Sequence, residues 1–393
     1  MKLLTCRKSG LLFNFIFRNF IQMRSIRRLS ACYWKNNRFS QRFQSNGRPT
    51  APLGSRFLLD PDKVFDHNMW DHIQWSQEDE ERAAEKAIEN SLVRIQPELQ
   101  DKYEREASKH WNEFYKTHQN NFFKDRNWLF MEFPEILPEE EREHCMKIDT
   151  RLCEDDHLCE NNPAVKTSSV HNFGSCSDDS AVNLQSVKQS GKEFPGSDAT
   201  YRILEVGCGA GNSVFPILRA LCNIPRVFLY CCDFASKAME LVKSHPFFDP
   251  SRCLAFVHDV CDDTSPYPFP EESLDIILLI FVLASVHPDR TQGIINRLAR
   301  LLKPGGMILF RDRGRYDVTQ LRFKKGFCLS ENFYMRRDGT RVYFFTKDEV
   351  HNLFSSAGLI EVQNEMVRRL QVNRKKRVKI HRVWIQSKFQ KPL

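Results

Sequence analysis

At 393 residues the chain is long enough for one large α/β domain with extensions or for two smaller domains, and 41% hydrophobic content is ordinary for a protein with a buried core. Nowhere do apolar residues run long enough to cross a bilayer, so no membrane span is predicted. The formal charge of +8 invites a nucleic-acid reading, but 12 of the 58 Lys and Arg residues precede the first acid, Asp60, and the remainder is slightly acidic, so any RNA contact must come from local basic patches.

Residues 1–45 are free of acids and rich in Arg, Ser and aromatics, the composition of a mitochondrial transit segment. Leu11, Phe15, Arg18, Ile21 and Arg28 can separate onto two faces of a helix, with cleavage near Ser30 or Ser45. Two alternatives stay open: a secretory signal with Leu11 to Phe17 as its core, interrupted by Asn14, and a basic cytosolic arm.

Residues 46–137 read as a mostly helical arm dense in charge and aromatics. Trp111, Phe114, Tyr115 and His118 recur at three-and-four spacing, which places them on one helix face that packs against the next domain. Across residues 138–198 this patterning fails; Ser, Asn, Gly and acids dominate, and a disordered insertion is expected. The 13 cysteines of this long chain read as reduced thiols rather than a disulfide scaffold. Cys145, Cys153, Cys159 and Cys176 lie near His144, His157 and His171 but match no zinc-knuckle spacing, so no metal is expected.

From residue 199 to 393 strands and helices alternate. RILEV, VFLYCCD, LAFVHDV, LDIILLIFVLA and GGMILFRD read as strands, and the segments from Asn212 to about Leu221, ASKAMELVKSH and TQGIINRLARLLK as helices. This alternation demands a parallel sheet with helices on both faces. RRLQV and RVKIHRVWIQSKFQK flank the turn-like NRKK and predict a terminal antiparallel hairpin.

LEVGCGAGN places Gly207, Gly209 and Gly211 between a strand and a helix, where glycine lets a ligand approach the backbone. Alone, such a motif fits several nucleotide-binding families. Asp233 closes the second strand, where an acid takes adenosine ribose hydroxyls, and Asp259 closes the third, where a carboxylate can accept the adenine amine. With Glu205 in the strand and Cys208 between the glycines, the motif looks like the version that binds S-adenosylmethionine, which has no pyrophosphate to cradle. The fold class expected is therefore α/β: a class I S-adenosylmethionine-dependent methyltransferase, Rossmann-like, with a seven-stranded, mostly parallel sheet, a terminal antiparallel hairpin and an N-terminal helical arm.

With these residues placed, the chain resembles the methyltransferase-like family that makes N3-methylcytidine in tRNA, and within it the mitochondrial vertebrate branch. The motifs that carry this are HNMWDHIQWS, FFKDRNW, FRDRGRYD, LRFKKG, RRDGTRVYFFT and RRLQVNRKK, and the match spans residues 51–133 and 199–393. The resemblance implies that the arm folds over the cofactor, with Trp111 and Tyr115 beside Gly207, Asp233, Asp259 and Leu279. It also implies the cytidine at position 32 of the anticodon loop as target, mitochondrial threonine and serine tRNAs as substrates, and mitochondrial seryl-tRNA synthetase as a partner. One departure is visible: where the family usually reads RDYGRYD, Arg313 replaces the first tyrosine, and a guanidinium plane can stack on a base while adding a cation.

Cytosine N3 has a free lone pair at neutral pH, so methyl transfer to it needs alignment rather than a general base. A carboxylate would stabilise the positive charge that develops on the base, a role that falls to Asp312 at the end of the fifth strand. Arg311, Arg315 and Tyr316 are expected to hold base and phosphate, the alternative being an Arg311–Asp312 ion pair that only fastens the strand. The target edge is a pairing edge, so the base must be turned out of its stack. Arg322, Lys324 and Lys325 in LRFKKG, with Arg374, Lys375 and Lys376 at the hairpin turn, are candidate RNA contacts. Competing functions are a methyltransferase acting on protein or another RNA, and a catalytically silent RNA-binding adaptor.

Overall fold

The computed structural model describes residues 56–142 and 194–393; the transit and zinc readings, and nearly all of the expected insertion, fall outside them. The described residues form one compact unit. Its spine is a parallel array of β2 (Tyr201–Val206), β3 (Val227–Asp233), β4 (Cys253–Val257), β5 (Leu274–Ile280) and β6 (Leu302–Arg313). All seven residues of β3 are buried, and β5 is nearly so, because helices cover both faces of the sheet.

β10 (Ile360–Asn373) and β11 (Val378–Gln390) form the predicted hairpin, which begins well before the expected RRLQV. β11 pairs antiparallel with β6. An eighth strand joins the seven expected ones: β1 (Met69–Trp70), from HNMWDHIQWS, pairs with β10, giving the order β1-β10-β11-β6-β5-β2-β3-β4. Two residues are too few to show a period of two, which is why the pattern hid it. A separate three-stranded sheet, β7 (Cys328–Ser330), β8 (Phe333–Met335) and β9 (Arg341–Tyr343), was likewise not read, its strands being three residues each.

The arm comprises α1 (Gln77–Ser91), α2 (Pro97–Arg105), α3 (Ala107–His118) and α4 (Leu129–Glu132). Ser76 and Asp79 close a capping box on α1, and Pro97 opens α2, where its missing N–H costs nothing. In the catalytic region follow α5 (Val214–Ala220), α6 (Ser236–Lys243), α7 (Pro288–Leu301), α8 (Val318–Leu321) and α9 (Lys347–Ser355). The alternation of β2 sorts the core: Leu204 and Val206 join Ile294, Leu298 and Phe354 from α7 and α9, whereas Ile203 joins Val214, Ile217 and Met239 from α5 and α6. Phe114, Leu129, Phe133 and Ile136 of the arm are buried in that second cluster, so the arm is part of the core and not merely laid upon it. The described cysteines are free thiols, most of them buried, and no described helix is long and apolar enough to cross a membrane.

Candidate active site

β2 delivers the chain into a loop in which Gly207, Gly209 and Gly211 take φ of 61°, 57° and 87°, a region that L side chains rarely adopt. Space demands glycine as well: a Cβ on Gly207 would stand 2.7 Å from Val282 Cγ2, and one on Gly209 would collide with the Tyr115 hydroxyl. The Cys208 amide donates to the Cys232 carbonyl at 3.0 Å, tying the loop to β3. Asp233 finishes the job, accepting the Gly209 amide at 3.0 Å and the Ala235 amide at 2.9 Å. Burial pushes its carboxyl up to about 6 despite these donors.

The cleft above this loop is bordered by Gly207, Asp233, Asp259, Trp111 and Tyr115, so the structure brings these predicted residues together, and His258, which was not predicted, borders it too. Each Asp233 oxygen keeps a lone pair beyond the amide it accepts, and Asp259, exposed, accepts the Cys261 amide at 2.8 Å. His258 adds a buried Nε2 with no hydrogen-bond partner. These groups fit a ligand bearing ribose hydroxyls and an amino-purine. Over them Trp111 stacks on Tyr115 at 5.9 Å, and the arm is fastened by the Ser108 hydroxyl on the Phe234 carbonyl at 3.2 Å and by Asn112 on the Lys237 amide at 2.9 Å. Glu104 of α2 reaches both Arg290 and Arg341, closing one end.

Past Trp111, Tyr115, Gly207 and Phe281 the cleft continues into a second compartment walled by Asp312, Arg313, Arg336, Arg382 and Trp384. Phe281 turns the chain here with φ of 63°, an uncommon conformation for an aromatic residue, held by its amide on the Arg311 carbonyl at 2.8 Å. Asp312 is fully buried and accepts the Ala284 amide at 2.9 Å and the Arg313 amide at 2.8 Å. Burial lifts its carboxyl to about 6.

Other expected residues lie elsewhere. Arg311, one strand position from Asp312, does not itself border the cleft: it bonds Gln386 at 2.7 Å, pairs with Glu132 at 3.3 Å and lies between the Trp128 and Trp384 rings at 4.6 and 4.9 Å. Its side chain is thus engaged with Gln386 and Glu132 rather than with Asp312. Arg315 bonds Glu349 of α9 at 2.8 Å, and the Tyr316 amide, at φ 68°, donates to Gln320; neither borders the cleft. Leu279 is a core residue with no exposed surface and does not border the cleft. Arg322, Lys324, Lys325, Arg374, Lys375 and Lys376 are exposed; Lys325 stands 3.7 Å from Glu89, and Arg374 reaches the Asp66 carbonyl at 3.4 Å.

Sequence reasoning missed Arg126, which bonds Ser213 at 2.8 Å and Glu205 at 3.4 Å, behind the glycine loop. It stands in FFKDRNW, but nothing local names a partner 79 residues away. Burial raises the Glu205 carboxyl to about 7, so Arg126 compensates a charge that would otherwise be costly. Arg336 and Arg382 were missed for the same reason.

A glycine loop ending the first parallel strand, acids ending the next two and an aromatic roof define an S-adenosylmethionine-dependent methyltransferase. A Methyltransferase domain family matches residues 204–308. Over 359 residues the chain is 54% identical to tRNA N(3)-cytidine methyltransferase METTL2B of Homo sapiens, covering 87% of this chain and 94% of that protein. It is 52% identical over 352 residues to the METTL2 enzyme of Mus musculus, covering 87% and 89%. To tRNA N(3)-cytidine methyltransferase METTL8, mitochondrial, of Homo sapiens it is 53% identical over 285 residues, covering 66% and 98%. The chain belongs to the tRNA N(3)-cytidine methyltransferase family, and relatives of both kinds stand at nearly equal identity.

Proposed function

We propose that this methyltransferase forms N3-methylcytidine at position 32 of the anticodon loop in mitochondrial threonine and serine tRNAs, within the matrix. The observation that carries the reading is the continuity of the two compartments, one suited to the nucleoside cofactor and the other ending on the buried carboxylate of Asp312. Membership of the family supports the tRNA substrate. Support for the compartment comes from the acid-free, Arg-rich residues 1–45 and from the likeness to the mitochondrial relative.

Bound S-adenosylmethionine supplies an electrophilic sulfonium methyl. Asp233 accepts from the ribose hydroxyls, Asp259 from the adenine amine, and Gly207 and Gly209 leave room for the ligand against the backbone. Trp111 and Tyr115 roof the cleft and exclude water; burial holds the Tyr115 phenol well above its ordinary value, so it stays a neutral donor. In the second compartment Asp312 faces the base as it becomes cationic, and its two backbone donors fix it in place before the reaction. Arg311 and Arg315 brace that wall from behind, through Glu132 and Glu349. The exposed Arg322, Lys324 and Lys325 and the hairpin turn Arg374, Lys375 and Lys376 meet RNA phosphates.

The test is methyl transfer to mitochondrial threonine and serine tRNA transcripts, with mapping of the altered base, run with and without mitochondrial seryl-tRNA synthetase. Methyl-3-cytidine at position 32 is expected. A methyl group on protein, or on a different RNA base, removes the reading.

A further inference from the structure

The second compartment carries more positive charge than a neutral cytosine needs. Arg313, Arg336, Arg382, Lys124 and Arg126 border it against two carboxylates, Asp312 and Asp338; behind them Glu205 pairs with Arg126, and Asp317 alone serves both Arg313 and Arg382. The reaction leaves a cationic base there, so guanidinium groups that share too few carboxylates would oppose the chemistry that Asp312 assists. An anion standing among them when substrate is bound would remove that opposition.

The cations are held, not trailing in solvent. Asp317, with no exposed surface, accepts Arg382 Nε at 2.8 Å and the Thr319 and Val383 amides at 2.9 and 3.0 Å, and lies 4.0 Å from Arg313 Nη1. One carboxylate thus splays two guanidinium groups along the same wall. Arg313 also lies over the Phe281 ring at 5.3 Å, and its backbone is fixed in β6 opposite Trp384. Arg336 is pinned through Nη1 to Thr340 Oγ1 at 3.2 Å and to the Arg341 carbonyl at 3.0 Å, which leaves its other nitrogens unspent in these bonds. Planar forks fixed in this way match the paired oxygens of a phosphodiester.

We propose that Arg313 and Arg382, splayed on Asp317, form with Arg336 an anion subsite inside the substrate compartment that binds the phosphodiester of the nucleotide being methylated. The proposal rests on the RNA reading above. It differs from the exposed basic patches, which act at a distance from the reacting base: this subsite fixes the reacting nucleotide itself, and its phosphate cancels the guanidinium charge as the base turns cationic. Asp317 is a positioning residue, acting only through the two arginines.

Anticodon stem-loop RNAs carrying a single uncharged methylphosphonate on either side of the target cytidine test it. The wild type should bind one of them about tenfold more weakly than unmodified RNA, the loss of one charge-assisted contact. R313Q should bind unmodified RNA about tenfold more weakly and be indifferent to that methylphosphonate, with S-adenosylhomocysteine affinity and melting temperature unchanged. Asp317→Asn should reproduce the RNA defect of R313Q; should it fail to fold, the R313Q comparison stands by itself. Losses from R313Q and the methylphosphonate that multiply would overturn the subsite. So would an R313Q defect in S-adenosylhomocysteine binding without RNA, which would assign the arginines to the cofactor's carboxylate. A wild type that methylates unmodified RNA yet ignores both methylphosphonates removes the subsite while sparing the RNA reading.

Discussion

Asp233 and Asp312 are built alike, yet one belongs to a wall that is local in sequence and the other to a wall that is not. Each is buried, each accepts two backbone amides, and burial pushes each carboxyl up to about 6. Around Asp233, the cofactor wall comes from consecutive strand ends. Around Asp312, the substrate wall draws on Phe281, Arg336, Arg382 and Trp384, from three segments joined to it only by folding. A carboxylate at the first wall meets a neutral adenosine, whereas one at the second meets a base that acquires charge, so the same construction serves binding in one place and turnover in the other.

The sharpest way to break this contrast is Asp312→Asn. Losing a fixed charge that faces the transition state should cut single-turnover methyl transfer by about 10²–10³-fold, with the S-adenosylmethionine dissociation constant unchanged. Normal turnover would leave Asp312 as mere scaffolding. The pH profile adds a second readout: the charged carboxylate is the active form, so the rate should fall as pH drops through about 6. Asp312→Asn should remove that dependence from the chemical step while the Asp233 contribution to cofactor binding persists.

Next in size is the residue beside it. Arg311 is buried, and burial lowers its affinity for a proton to about 10, while Glu132 compensates. Glu132 also holds Arg369 and Gln386 at 2.7 and 2.9 Å, so Glu132→Ala strips a buried cation of its partner. Destabilisation of about 3 kcal/mol is expected by denaturant titration, with the folded fraction still transferring methyl groups at the normal rate. A rate defect without a stability loss would return Arg311 to the chemistry.

Smaller again is Gly209→Ala. The added methyl meets the Tyr115 hydroxyl at a backbone φ of 57°, so the roof or the loop must shift. Cofactor affinity measured by calorimetry should weaken about tenfold, within the strain expected of a non-glycine residue in that region. Unchanged affinity would show that Tyr115 does not press on the loop when cofactor is bound.

These variants also mark how much could be read in advance. The parallel sheet, the glycine loop and the two strand-end acids were legible because each is encoded within a few residues, as in LEVGCGAGN or VFLYCCD. So was the aromatic face of α3, since its period is that of the helix it forms. Proximity to Asp312 in sequence suggested a shared task for Arg311, whose side chain instead meets Glu132 and Gln386, far along the chain. Leu279 was carried over from a resemblance; β5 turns its side chain into the core. Arg126, Arg336 and Arg382 have meaning only through partners far along the chain, which no periodicity announces.

The least effect is expected from the exposed patches, where the two walls no longer matter. Lys324, Lys325 and Arg322 follow α8 on the surface, and Lys325 already leans toward Glu89 at 3.7 Å with about half of its side chain in solvent. Such a cation loses little by changing partners, so neutralising one residue should weaken tRNA binding only two- to threefold at moderate salt, by roughly one released counterion. The diagnostic is the slope of affinity against salt, which each neutralisation should flatten by about one unit, alike for any RNA sequence. A patch variant that instead changed which cytidine is methylated would mean that the surface reads the substrate, and the division between a positioning surface and a selecting compartment would have to be redrawn.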